Sequence, residues 1–275
     1  MTTSQSLAQQ IETPLKALIL ETGDYIREEF RRFSFSDVKY KSVSNPVTHV
    51  DVQADALLKA GCRALIPGSG FINEESGEEQ GENGYTWIID PIDGTTNFAH
   101  GIPHFSISVG LKYHDELLMG KIYDVMRGEM FAAIKGQGAT LSGQPIRVSG
   151  IPRLEESVIA TGFPYGDFPW LGDFLNLVMH LIKKGHGLRR MGSAALDLAY
   201  VASGRMEGFF EMGLSPWDIA AGVLIVKEAG GQVSDFEGGN AYFNGSLFAS
   251  NGKIHNEVLA AMQEVGSAYR MNGKP

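Results

Sequence analysis

The segment Trp87-Ile88-Ile89-Asp90-Pro91-Ile92-Asp93-Gly94-Thr95-Thr96-Asn97-Phe98 constrains this chain more than any other stretch. An apolar run of β character enters Asp90, Pro91 cannot continue a strand ladder, and a second carboxylate follows three residues later beside glycine and two threonines. Such a turn aims two carboxylates into one cleft. Gly94 and the N–H groups after it can then cradle an anion at the start of a helical turn, which binds phosphate without net charge. A D-x-x-D-G in isolation reads equally as an ordinary turn after a strand, but the full twelve-residue string is far more specific. Any fold for this chain has to bury the strand and leave its C-terminal end open.

Three further carboxylates stand at element ends. Glu74, in Asn73-Glu74-Glu75-Ser76, follows a short apolar run and is placed to be a metal ligand, although a solvated acidic loop accounts for it as well. Glu78, Glu79 and Glu82 after it are assigned to solvent. Asp218 lies in Ser215-Pro216-Trp217-Asp218, where Ser at the cap and Pro at the first helical position make a helix start. A capping role for Asp218 competes with ligation and is compatible with it, since a helix N-terminus favours the ionised acid. Asp51 in Thr48-x-x-Asp51 also resembles a capping arrangement, and by itself reads as structural.

None of these acids has a cation beside it in sequence, and clustering them would raise their pKa values and oppose folding of the charged form. Hard divalent cations resolve the conflict, and oxygen-only ligation points to Mg²⁺ rather than Zn²⁺. A site with several Mg²⁺ beside an amide-lined turn suits hydrolysis of phosphate esters. Other phosphatase chemistries are absent from the sequence: there is no D-x-D nucleophile pair, Cys62 has no arginine six residues on, and His186 lies in Gly-His-Gly without a preceding arginine. No G-x-x-x-x-G-K-S/T loop supports an NTPase. Water is the expected nucleophile.

The 275 residues carry a formal charge of −9, which argues against a surface for nucleic acid or anionic lipid. One cysteine cannot form an internal disulfide, the N-terminal stretch has no cationic flank before an apolar core, and no apolar run reaches membrane-span length. A cytoplasmic protein is expected. The 34 glycines, above the usual share, predict many tight turns or close backbone approaches.

Thr13-Pro14 reads as the start of a first helix, with polar, frayed residues before it, and Leu15, Leu18, Thr22, Tyr25 or Ile26, and Phe30 recur at helical spacing. A second helix starts near Thr48 and ends at Pro67-Gly68, with Leu58, Cys62 and Leu65 on one face. Residues 70–73, 86–90, 105–112, 117–123 and 130–134 read as strands of a largely antiparallel meander. From about Leu154, strands at 157–161, 207–211, 232–235 and 248–250 alternate with helices at 170–184, 194–203 and 216–229, before a closing helix from about His255. The expectation is one domain over 1–275, with subdomains 1–150 and 151–275 whose boundary is the least constrained feature.

Taken together, Glu74-Glu75-Ser76, the string Asp90 to Phe98 and Trp217-Asp218-Ile219-Ala220-Ala221-Gly222 closely resemble, in order and spacing, the signatures of the inositol monophosphatase family. The resemblance runs from about Leu15 to Met262. It implies an α+β fold, a layered αβαβα sandwich. It implies that Glu74, Asp90 and the Ile92 carbonyl bind a first Mg²⁺, that Asp90, Asp93 and Asp218 bind a second, and that Glu74 touches a third. Asp51, Glu74 and Thr95 are then catalytic, with Thr95, oriented by Asp51, positioning and deprotonating the attacking water. Gly94 and Thr95 amides hold the phosphate, and Asp93 and Asp218 also border the substrate. Gly192-Ser193-Ala194-Ala195 resembles the family's substrate loop, with backbone contacts to the inositol ring, and Glu211 matches the acid that binds a ring hydroxyl.

The runs Arg189 to Ala199 and Ala160-Thr161-Gly162-Phe163-Pro164 look like the bacterial branch, in which Ser193 replaces the threonine of animal members. The segment 165–172 matches no motif and reads as a surface loop. The resemblance implies lithium-sensitive hydrolysis of myo-inositol monophosphate and a homodimer. The alternatives are phosphatases of fructose 1,6-bisphosphate, NADP, histidinol phosphate or a nucleotide 3′-phosphate on the same fold, since only the substrate loop discriminates among them. A further alternative of another class is a transcription-machinery partner independent of catalysis. Arg189-Arg190 could serve that interface, although ion pairing at a dimer contact is the plainer reading.

Overall fold

A computed structural model describes residues 3–32, 39–42, 45–163 and 171–271. Its helices are α1 (Thr3–Arg32), α2 (His49–Leu65), α3 (Thr95–Ala99), α4 (Leu171–Lys184), α5 (Ala194–Ala202), α6 (Pro216–Glu228) and α7 (His255–Met271). The strands of the first half are β1 (Lys39–Ser42), β2 (Asn45–Val47), β3 (Gly70–Asn73), β4 (Gly77–Glu79), β5 (Tyr85–Asp93), β6 (Ser106–Tyr113), β7 (Glu116–Asp124), β8 (Glu129–Ile134), β9 (Ala139–Leu141) and β10 (Gln144–Ile146). Those of the second half are β11 (Val158–Thr161), β12 (Gly187–Arg189), β13 (Gly208–Met212), β14 (Gln232–Ser234) and β15 (Ser246–Ser250).

Apart from the β1–β2 hairpin, the strands form two sheets: eight strands in the order β10-β9-β8-β7-β6-β5-β3-β4, and five in the order β12-β11-β13-β15-β14. From β5 to β10 each strand pairs antiparallel with the next, and the β3–β5 pair is parallel. One apolar cluster joins α1 and α2 to the outer face of the large sheet, a second fills the space between the sheets around α5 and α6, and a third packs α4 and α7 on the small sheet. The result is a five-layer αβαβα sandwich, in which every sheet face finds an apolar helix face to cover it.

Two glycines set how closely the middle layers approach. Gly110 and Gly120 are cross-strand partners on β6 and β7, and α6 lies directly over them. A Cβ on Gly120 would come within 2.5 Å of the Ala221 carbonyl, and one on Gly110 within 3.2 Å of Ala220 Cβ. Absence of both side chains brings the α6 backbone down onto the sheet, and with it the N-terminal turn that carries Asp218.

The first helix departs from expectation. It begins at Thr3 rather than Thr13, and Pro14 lies inside it. Ala8 and Ile11 are buried in line with Leu15, Ile19, Thr22 and Ile26, so the apolar face runs straight through the proline. An interior proline costs about 3 kcal/mol, which burial of Ile11, Ala8 and part of Leu7 roughly offsets. Glu79 is the second correction. It is not simply solvated but accepts from Arg63 at 2.8 Å and Lys59 at 3.2 Å, tying β4 to α2. In the segment 165–172, residues 165–170 lie outside the described residues, and Leu171 and Gly172 begin α4.

Candidate active site

β5 is flanked by β3 and β6, and its last residues meet the gap under the N-terminal turn of α6. Its pairing with β6 shifts register between Asp90, opposite Ser108, and Asp93, opposite Ser106. Pro91 falls in that interval and has no N–H for the ladder, and the resulting irregularity re-aims both acids. Asp90 accepts from the Ile92 amide at 2.9 Å. Asp218 Oδ2 accepts from the Ser215 amide at 2.7 Å, so the helix-start role read from sequence is real. The same side chain nevertheless joins Asp90 and Asp93 in a triad whose oxygens lie within 4.8 Å of one another. Capping and clustering are carried by one residue.

Asp93 is the most heavily hydrogen-bonded member. Its carboxylate accepts from the Ala195 amide at 2.8 Å, the Ala194 amide at 3.3 Å, the Ser106 hydroxyl at 3.5 Å and the Ser193 hydroxyl at shorter range. The start of α5 is therefore pinned to the end of β5, and Gly192-Ser193-Ala194 is drawn into the cleft wall. Asn97 on α3 reinforces the junction by donating to the His104 and Met191 carbonyls, each at 2.8 Å.

Gly94 caps α3 with φ 103°, a conformation that side chains resist, and a Cβ there would stand 3.2 Å from the Gly192 and His104 carbonyls. Beside it, the Thr95 hydroxyl lies 3.0 Å from Asp51 Oδ1 and 3.0 Å from the Ile92 carbonyl. Asp51 also accepts from the Thr48 amide and hydroxyl at 2.8 and 2.5 Å, completing a capping box at the start of α2. The capping bonds of Asp51 and its contact with Thr95 thus coexist. Glu74 continues the β3–β5 ladder through its amide, 3.2 Å from the Ile89 carbonyl, which delivers its side chain to the same cleft.

The cleft encloses about 660 Å³, the solvent at its mouth included. Glu74, Asp90, Asp93, Glu211 and Asp218 line it, together with Gly94, Thr95, Gly192, Ser193 and Ala194. All the sequence-predicted site residues therefore gather here, with Asp51 reaching the cleft through Thr95. Sequence reasoning missed three neighbours. Arg190 is the cation among the described lining residues, Gly162 lies directly against the Glu211 carboxyl, and Asp197 is buried close behind. Gly162 lies within the quoted Ala160-to-Pro164 run, the one signal that could have found it.

So many acids in so little solvent distort their proton affinities. Burial and the charges of Glu74, Asp93, Asp218 and Asp51 push Asp90 well above the usual carboxylate range. Burial, then Asp93, raises Asp218 likewise. Asp93 is pushed up to about 6 by burial against the pull of its hydrogen bonds, and Asp51 to about 6 for the same reasons. Glu211 rises to about 8, through burial and the Asp93 charge. The charges that weigh most on Asp90 are all carboxylates, and the donor atoms are all oxygen, which fits a hard divalent cation.

The sequence pattern of the inositol monophosphatase family matches residues 7–267. The Escherichia coli K12 protein named Nus factor SuhB is 42% identical over 246 residues, 89% of this chain and 92% of that relative. An inositol-1-monophosphatase of Mesorhizobium japonicum is 40% identical over 251 residues, 90% of this chain and 94% of its own length. Among solved structures, the extragenic suppressor protein suhB of Bartonella henselae superposes with a TM-score of 0.88 at 37% identity, over 92% of this chain and 98% of that one.

Proposed function

Because the chain belongs to the inositol monophosphatase family, a phosphatase family, we propose that it hydrolyses myo-inositol monophosphate to myo-inositol and phosphate with Mg²⁺ as cofactor. The observation that carries this reading is the convergence of Asp90, Asp93 and Asp218 beside the Gly94 turn, with Glu211 on the wall of the same cleft. Two to three bound Mg²⁺ would lower the pKa of the attacking water and neutralise charge on the transferred phosphoryl group. Glu74, Asp90 and the Ile92 carbonyl would hold the first ion, Asp90, Asp93 and Asp218 the second, and Glu74 would contribute to the third. The Ile92 carbonyl already accepts from Thr95, and its second lone pair remains for ligation.

Thr95 has one hydroxyl proton and two acceptors within reach, Asp51 and the Ile92 carbonyl. With that proton directed at Asp51, the oxygen turns its lone pairs to the attacking water, and as the water's proton moves to Thr95 Oγ the threonine proton passes to Asp51. Asp51, held by Thr48, ends as the neutral acid. Gly94 and Thr95 amides hold the phosphate at the start of α3, and the Gly192-Ser193-Ala194 backbone borders the ring. Glu211 accepts from a ring hydroxyl, a contact that distinguishes a polyol ester from other monoesters. The two sheets act here as one catalytic unit over the whole chain, in a cytoplasmic homodimer inhibited by Li⁺.

Comparison of kcat/KM for myo-inositol 1-phosphate, fructose 1,6-bisphosphate, NADP, histidinol phosphate and a nucleotide 3′-phosphate tests the substrate. Preference for the inositol ester supports the reading, and absence of activity on every inositol phosphate overturns it. The name Nus factor, carried by the Escherichia coli relative, supports a second reading in which a transcription-machinery partner is bound independently of catalysis. Rescue of a deletion phenotype by Asp93→Asn would favour it.

A further inference from the structure

One side of α2 carries a line of polar residues at four-residue steps, Asp51, Asp55, Lys59 and Arg63, which a helix stacks on a single face. Asp51 reaches Thr95, and the other three reach the segment from β3 to β4 that carries Glu74. Lys59 Nζ lies 3.3 Å from Ser76 Oγ and 3.2 Å from Glu79 Oε2, which Arg63 shares at 2.8 Å. Those ties are partly in solvent, where ion pairs contribute little. The tie between Asp55 and Asn73 is of another kind, since the two residues are 4% and 0% exposed.

Asn73 is the last residue of β3, and its amide nitrogen donates to Asp55 Oδ1 at 2.8 Å and to Ser76 Oγ at 3.3 Å. Its own Oδ1 is enclosed without a hydrogen-bond partner, so the amide is held through nitrogen alone. Turned over, it would set oxygen against the Asp55 oxygen, and Asp55 therefore fixes the way it faces. Phe71, two residues earlier on the same face of β3, lies under Lys59 and Arg63, 5.4 and 5.0 Å from its ring centroid. Asn73 accordingly faces α2, and Glu74, next in the chain, faces the cleft. Glu74 is thereby fixed from two directions: its amide meets the Ile89 carbonyl at 3.2 Å, and the residue before it is anchored on α2. Apolar residues of the same shape would serve the core about as well as this buried polar pair, so packing alone does not account for it.

We propose that Asp55 is a positioning residue for the metal centre: through its hydrogen bond to Asn73 it holds the end of β3, and so holds Glu74 in place for the Mg²⁺ that Glu74 would ligate. The inference rests on Glu74 being a ligand of that ion. Neither Asp55 nor Asn73 lines the cleft, so neither touches substrate. Asp93 and Asp218 are delivered by β5 and α6, and the effect falls on the ion that Glu74 holds.

The test is isothermal titration of the chelator-treated full chain with MgCl₂, without substrate, in wild type, Asp55→Ala, Asp55→Asn, Glu74→Gln and the Asp55→Ala/Glu74→Gln pair. Asp55→Ala is expected to weaken Mg²⁺ binding about tenfold. The Mg²⁺ midpoint of phosphate release from myo-inositol 1-phosphate should move by the same factor, with kcat at saturating Mg²⁺ within about threefold of wild type. Asp55→Asn keeps an acceptor oxygen for Asn73 and is expected to stay near wild type. On the Glu74→Gln background, itself weakened, Asp55→Ala should add nothing. If Asp55→Ala does not fold, the Asp55→Leu/Asn73→Leu pair, which removes both partners of the bond together, takes its place with the same expectation. Unchanged Mg²⁺ affinity in a folded variant without the bond, an Asn variant as impaired as Ala, or a further loss on the Glu74→Gln background would each overturn the proposal. Wild type that binds no Mg²⁺, or Glu74→Gln that binds as tightly as wild type, would overturn the ligand reading and this inference with it. Wild type that binds Mg²⁺ through Glu74, with any of those three variant results, overturns the inference alone.

Discussion

Thr95 Oγ stands 3.0 Å from Asp51 Oδ1, so the residue that closes the capping box of α2 and the turn that ends β5 are joined by one hydroxyl. Thr95 starts α3, Asp51 lies in the first turn of α2, and the hydroxyl proton can reach only one acceptor at a time. A fold-stabilising cap therefore doubles as the group that sets the hydroxyl's orientation.

Asp51→Asn separates the two jobs. The amide can still occupy the cap, with stability expected to change by about 1 kcal/mol, but it cannot take up the proton. The rate on a phosphomonoester should fall by roughly 10²–10⁴. Thr48→Ala, which strips the capping hydroxyl but leaves the carboxylate, should cost a similar ~1 kcal/mol with a much smaller loss of rate. Thermal melts and initial rates on both variants decide whether the roles divide in this way.

Gly120→Ala probes the close approach of α6. The new methyl would meet the Ala221 carbonyl at 2.5 Å, and backbone has no rotamer with which to yield. Overpacking of this kind costs about 1–3 kcal/mol. Because α6 carries Asp218, the midpoint of Mg²⁺ activation should also move to higher concentration. A variant destabilised to this degree with an unchanged Mg²⁺ midpoint would show that the approach supports the core and not the triad.

The pH dependence has a definite sign. Asp51 and Asp93 have folded values of about 6, raised from the usual value near 4 by burial. Below pH 4 both states keep the protons and these groups contribute nothing. Between 4 and 6 the unfolded chain has lost protons that the folded chain retains, so their contribution to stability falls as pH rises, and above 6 the full penalty remains. A divalent cation favours the ionised forms and removes it. Mg²⁺ should therefore raise Tm more at pH 7.5 than at pH 5, measured by calorimetry against chelated protein. Equal shifts at the two pH values would contradict this.

How far the sequence foretold the site depends on the kind of information each residue carries. Asp90, Asp93 and Asp218 sit at element ends, and proline, glycine and capping serine mark such ends locally. The strands β5 to β8 are apolar runs of six to nine residues bounded by turn residues and so can be read, whereas β9, β10 and β12 are three-residue strands with no period to detect. Thr13-Pro14 is a strong local signal for a helix start, and only burial of Ala8 and Ile11 overrides it to begin α1 at Thr3. Gly162 has no local chemistry at all. Its place comes from Glu211, which lies against it only when β13 is packed between β11 and β15.

On the proposed reading, hydrolysis of a phosphate ester in this cleft depends on a divalent cation held by Asp90, Asp93 and Asp218. Phosphate release from myo-inositol 1-phosphate, followed for wild type and Asp93→Asn in Mg²⁺ and in chelator, is the deciding measurement. Turnover by wild type in Mg²⁺, with none in chelator and a loss of about 10³-fold or more in Asp93→Asn, is the predicted result. Turnover that survives the chelator, or that Asp93→Asn leaves intact, would contradict it.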